Sequence, residues 1–132
     1  MRVLMFLIGT LALAAVSAAA EAPAREYAKV TFTDPVWIGG TVLMGEYIIE
    51  HDTDRMARGR PCTHIYAARD RRTPVVTFHC KHLRRPTSGQ ASVTLRRNYN
   101  VVGHAYLLTE FQFAGDGDAH GVPGIRGVPP VR

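Results

Sequence analysis

The familiar signatures of catalysis are missing from this sequence. It contains no Gly-x-Ser-x-Gly elbow, no His-Glu-x-x-His and no phosphate-binding glycine loop. The expectation is therefore a non-enzymatic protein with no catalytic residue and no cofactor. Asp52-x-Asp54 lacks the rest of an EF-hand loop, so these aspartates read as turn caps and not as calcium ligands. Tandem repeats are absent, as is any amphipathic helical pattern beyond the first twenty residues. No block of five basic residues occurs, although 16 Lys and Arg outnumber 11 Asp and Glu and the net charge is +5. The pairs Arg58/Arg60, Arg71/Arg72, Arg84/Arg85 and Arg96/Arg97 fall at strand ends and turns. They read as a solvated rim, with attraction to anionic envelope polymers or lipid headgroups as the functional alternative. No basic motif is interleaved with aromatics, which argues against nucleic acid.

A long apolar run is missing too. Residues 3–16 are apolar, follow the positive Arg2 and lead into Ser17-Ala18-Ala19-Ala20. That is the pattern of a cleavable signal peptide over 1–20, cut after Ala18 or Ala20, and the run is short for a membrane span. No membrane span is expected after cleavage. The expected location is secreted or periplasmic, an oxidising place for the two cysteines. A single domain over 21–123 has length enough to bury one modest core. The Gly- and Pro-rich end from 115 reads as an extended tail whose first part, through Pro123, is expected to lie along the domain using His120 and Val122, with 124–132 expected to be disordered.

Between these ends the pattern is of strands. Residues 27–33 alternate, with Val30 and Phe32 on one face. Asp34-Pro35 breaks that segment, a short extended piece follows with Trp37 as a core or rim anchor, and Gly39-Gly40 signals a turn. Residues 41–51 form a second strand, in which Gly45 suggests a bulge or a close approach. Further strands are expected at 61–67, 74–83, 91–97 and 101–114. About six strands with turns between them and no helices predict an all-β domain, a small antiparallel barrel or a two-layer sandwich, connected as an up-and-down meander.

The two cysteines and three of the six histidines fall within 61–83. Centring the turn on Arg71 sets Cys62 opposite Cys80, His64 opposite Phe78 and Tyr66 opposite Val76. A two-residue slip sets Cys62 opposite His82 and His64 opposite Cys80. Either register keeps Cys62, His64, Cys80 and His82 on one face. The first reading is a Cys62–Cys80 disulfide, worth about 3 kcal/mol through loop closure. The second takes Cys62-Thr-His64 and Cys80-Lys-His82 as a metal site for zinc or copper. Oxidation removes both thiolates, so the two readings exclude each other in one molecule. His51 and His79 are expected to be ordinary rim or core histidines with satisfied hydrogen bonds. A third reading is a small-ligand carrier that uses the barrel interior.

The segments GEYIIEHDTDRMARGRPCTHIY, VVTFHCKHLRRP and LTEFQFAGDGDAHGVP resemble a group of small, signal-peptide-bearing bacterial proteins of uncharacterised function. The resemblance covers most of the chain after the leader. It implies export and a shared small domain that extends through His120 and Pro123, and it transfers no catalytic or binding residue. The combined expectation is an exported β domain with a binding or envelope-associated structural role, stapled by Cys62 and Cys80.

Overall fold

The computed structural model describes residues 24–97 and 105–124. The leader, the turn expected at 98–100, the beginning of the last expected strand and residues 125–132 lie outside the described residues. In chain order the elements are β1 (Arg25–Ile38), β2 (Thr41–Asp52), α1 (Thr53–Ala57), β3 (Thr63–Ala67), β4 (Val76–Phe78), β5 (Lys81–Arg84), β6 (Ser92–Arg97), β7 (Tyr106–Gln112) and β8 (Asp118–Gly121). The domain is all-β, a single sheet curled into a half-barrel.

The longest pairing is the β1–β2 hairpin. Gly39 and Gly40 carry φ of 58° and 86° between the paired Ile38 and Thr41. Two central residues with positive φ define a turn whose twist matches the strands it joins. Asp34-Pro35 does not end β1, as the sequence suggests. The ladder instead jumps from Phe32↔Gly45 to Val36↔Leu43, so Thr33, Asp34 and Pro35 bulge opposite Met44 alone. A bulge needs no donor from proline, and Gly45 completes it at φ 108°.

From β1 to β4 the sheet is the expected meander; beyond Phe78 it is not. The 74–83 segment splits into two strands that serve different neighbours. β4 pairs with β3, and β5 pairs with β8. The sheet order is β4-β3-β2-β1-β7-β8-β5, with β6 paired to β7. β6 runs along the whole of β7, which leaves the other edge of β7 to two partners. Tyr106 and Leu107 take β1 in parallel, and Glu110 to Gln112 take β8. The expected tail therefore contributes a strand, placed between β7 and β5 and holding a buried Ala119 and His120.

Phe32, Val36 and Ile38 of β1, Leu43 and Ile49 of β2, and Ile65, Val76, Phe78, Leu108, Phe111 and Phe113 fill the inner side of the curl. Full burial of each such side chain is worth about 1.5–3 kcal/mol. Trp37 is half-buried, in keeping with a rim anchor. Among the described residues no helix is long and apolar enough to cross a membrane.

Candidate metal centre

The meeting of Cys62 and Cys80 does not come about through a strand ladder. In the observed register Thr63 faces Phe78, His64 faces Thr77 and Ile65 faces Val76. That is one residue out from the first expected pairing and three from the second, and an odd shift reverses the faces. Ile65, Val76 and Phe78 thereby claim the core side of this pair, because burying them outweighs burying His64 and Tyr66. The sulfurs meet because the chain leaves the ladder at both places. Cys62 sits just ahead of β3, held by its carbonyl, which accepts from Asp52 N at 2.8 Å. Cys80 sits in the break between β4 and β5. Its amide donates to Cys62 Sγ at 3.3 Å, and the two sulfurs are 2.9 Å apart as free thiols.

The four ligands expected from the Cys-x-His pairs do not all converge. His64 pairs with Glu50 across β2 and β3, on the face opposite Ile49 and Ile65. It is buried in a polar cluster, with Arg55 Nη1 at 3.2 Å and Glu50 Oε1 at 4.0 Å. Burial and the Arg55 charge push its pKa down. Arg55 is held there by α1, which Asp52 caps by accepting from Arg55 N at 3.0 Å. Asp52 thus performs the capping role expected of it. His82 lies nearer, at the rim, with Nε2 3.0 Å from Met56 Sδ and Nδ1 3.9 Å from Asp118 Oδ2. His79 is exposed.

His51 and His120 take the places that His64 and His82 were expected to fill. His51 ends the inward face of β2, two residues beyond Ile49, and is 2 % exposed. His120 is carried in by β8 and is 1 % exposed, stacked on Phe111 at 4.9 Å between ring centres. The His51 and His120 rings are 4.1 Å apart. A ring nitrogen of each and Cys80 Sγ all lie within 4.8 Å of one another, with His120 Nδ1 3.6 Å from Cys80 Sγ. His51 Nε2 and His120 Nε2 are buried without a hydrogen-bond partner. The expectation that His51 is a satisfied core histidine is therefore corrected. Its place on the Leu43, Tyr47 and Ile49 face was visible in the alternation of β2. For His120 the sequence suggested a place along the domain but no strand and no face, because its strand is only four residues long and lies in a Gly- and Pro-rich stretch.

Burial holds these groups in their neutral forms. Burial and neighbouring His51 lower the His120 pKa to about 4. Burial and His82 lower that of His51. The Cys80 thiol is pushed up to about 12 by burial and by Cys62. A neutral imidazole presents a lone pair to a metal, and a thiol must give up its proton to do so.

The cluster opens onto a cleft of about 460 Å³ whose wall includes His51, His82, His120, Glu26 and Asp116. Glu26 arrives there because it stands directly opposite His51 in the β1–β2 ladder. Its carboxyl pKa is raised, first by burial and then by Asp116 and Asp118. Asp116 Oδ1 accepts from Asp118 N at 2.8 Å, and its Oδ2 lies 3.8 Å from His120 Nε2. No protein-family model, curated protein or solved structure matches the chain.

Proposed function

We propose that this chain is an exported β domain that binds a transition-metal ion, zinc or copper, through Cys80, His51 and His120. The observation that carries the reading is the convergence of one sulfur and two ring nitrogens within 4.8 Å, where both histidines bury a nitrogen without a partner. An unpaired buried polar group costs about 1–3 kcal/mol, a cost that coordination removes. Thiolate and imidazole together suit zinc and copper better than magnesium or calcium. Cys62 is the natural fourth ligand. Two sulfurs on one tetrahedral zinc, each about 2.3 Å from it, stand roughly 3.7 Å apart. The thiols therefore need to open from 2.9 Å by less than an ångström.

A second reading rests on the same separation. In an oxidising compartment the sulfurs close to about 2.05 Å and form the Cys62–Cys80 staple. The contact at 2.9 Å favours it as well as it favours the metal. The two states exclude each other, and the redox poise of the compartment decides which prevails.

The test is metal content of the reduced protein, purified without a histidine tag and exposed separately to zinc and to copper(I). One equivalent is expected. Replacing His51, His120 or Cys80 should lower the affinity at least tenfold, and His64→Asn should leave it unchanged. Sub-stoichiometric metal, or a dependence on His64 in place of His51, contradicts the reading.

A further inference from the structure

The cleft beside the cluster carries a second donor set, and it shares His120 with the first. We propose that Glu26, Asp116 and His120 Nε2 form a separate site for a divalent first-row cation, facing the cleft and requiring no sulfur. One ligand atom from each of the three lies within 4.8 Å of the other two. Two carboxylates alone would be a solvated acidic patch. The histidine makes the difference, since His120 is 1 % exposed, its Nε2 has no hydrogen-bond partner, and that nitrogen lies 3.8 Å from Asp116 Oδ2. The fold also fixes both acids. Glu26 is set by the ladder opposite His51, and Asp116 is set by the turn in which its Oδ1 takes the Asp118 amide. In a chain with net charge +5, Glu26, Asp116 and Asp118 concentrate negative charge at one cleft. One imidazole nitrogen with carboxylate oxygens and water suits manganese, iron(II) or zinc, and is a poor set for copper(I).

The two sites compete for one side chain. His120 directs Nδ1 at Cys80 and Nε2 at Asp116. A neutral imidazole has one lone pair and one N–H. When Nδ1 binds a metal beside Cys80, Nε2–H points at Asp116 as an outer-shell donor, an arrangement that orients ligating histidines generally. When Nε2 binds a cation in the cleft, Nδ1 carries the proton and faces sulfur. Oxidation of the thiols decides the matter. Cys62 and Cys80 together give up two protons and two electrons to a small-molecule disulfide, which leaves as two thiols. The bridged form has no thiolate to offer, and the lone pair of His120 is free for the cleft.

The experiment uses the chain with Cys62 and Cys80 oxidised, titrated with manganese(II) and followed by loss of the free-ion paramagnetic resonance signal. One bound equivalent is expected, with affinity at least tenfold weaker in Glu26→Gln and in Asp116→Asn. The Cys62→Ser/Cys80→Ser double variant should keep the manganese site while losing the thiol centre, which separates the two readings. In the unsubstituted oxidised protein, manganese should broaden the ring resonances of His120, and of His51 and His82 that line the cleft beside it, before any others, a readout that needs no variant to fold. Absence of binding at millimolar manganese overturns the proposal. So does binding that Glu26→Gln and Asp116→Asn leave untouched, or broadening that spares His120. None of these results bears on the thiol centre.

Discussion

Acid should destabilise the metal-free domain in a window that His120 sets. In the unfolded chain a histidine takes its proton near pH 6.5, whereas in the fold His120 takes it only at about 4. Between those values the unfolded state binds more protons, so stability falls as the pH falls. Above about pH 6.5 the contribution is fully present, and below about pH 4 nothing more is lost. A gap of about 2.5 units amounts to roughly 3 kcal/mol in total, of which about 2 kcal/mol is gone by pH 5. His51 and His64 shift in the same direction and add to the loss. Glu26, with its raised pKa, gains a proton earlier in the fold and offsets part of it. Urea unfolding of the EDTA-treated, reduced protein at pH 7.5, 6, 5 and 4 measures the sum. His120→Phe isolates the main contributor, since a phenyl ring keeps the stack on Phe111 and cannot titrate. Its absolute stability is beside the point; the slope between pH 6.5 and 4 should flatten by about 2–3 kcal/mol. Equal slopes in the two proteins would refute the placement of His120 as a buried, neutral imidazole.

Three further outcomes follow from particular contacts. Air or disulfide oxidation should remove two hydrogens from the intact mass and raise stability by about 3 kcal/mol, the value for closing a loop of this length; an unchanged mass after prolonged oxidation contradicts the approach of the sulfurs. Gly40→Ala should cost about 1–2 kcal/mol in thermal unfolding, because φ is 86° and the added methyl meets nothing within 4 Å, so the whole cost is conformational. A neutral effect would mean that the turn is not of this type. Phe111→Ala should cost about 3–5 kcal/mol, since the ring is 2 % exposed and packs on Phe78, Phe113 and His120. A loss under 1 kcal/mol would place Phe111 outside the core.

The all-β class was legible because alternation is a local property. Val30 and Phe32, then Leu43 and Ile49, state their own faces, and Gly39-Gly40 states its own turn. The crossing of the chain from β4 to β5 was hidden, because 74–83 alternates without interruption and no glycine or proline marks the break at Cys80. Strand β8 was hidden for the opposite reason. Asp118, Ala119, His120 and Gly121 have low strand propensity, and only the shared edge of β7 and β5 makes them a strand. The site inherits both gaps. Cys62 and Cys80 were found, though by a ladder argument that the register does not support. His64 was misplaced because one residue of register decides its face. His120 is 40 residues from Cys80 in sequence, a distance no local pattern spans.

X-ray absorption at the metal edge of the reduced, zinc-loaded protein puts the central claim to the most direct test. The first shell should hold one or two sulfur scatterers at about 2.3 Å and two imidazole nitrogens at about 2.0–2.1 Å, with sulfur lost in Cys80→Ser and imidazole reduced in His51→Asn. A shell of oxygen and nitrogen alone, or one that neither substitution alters, would contradict it.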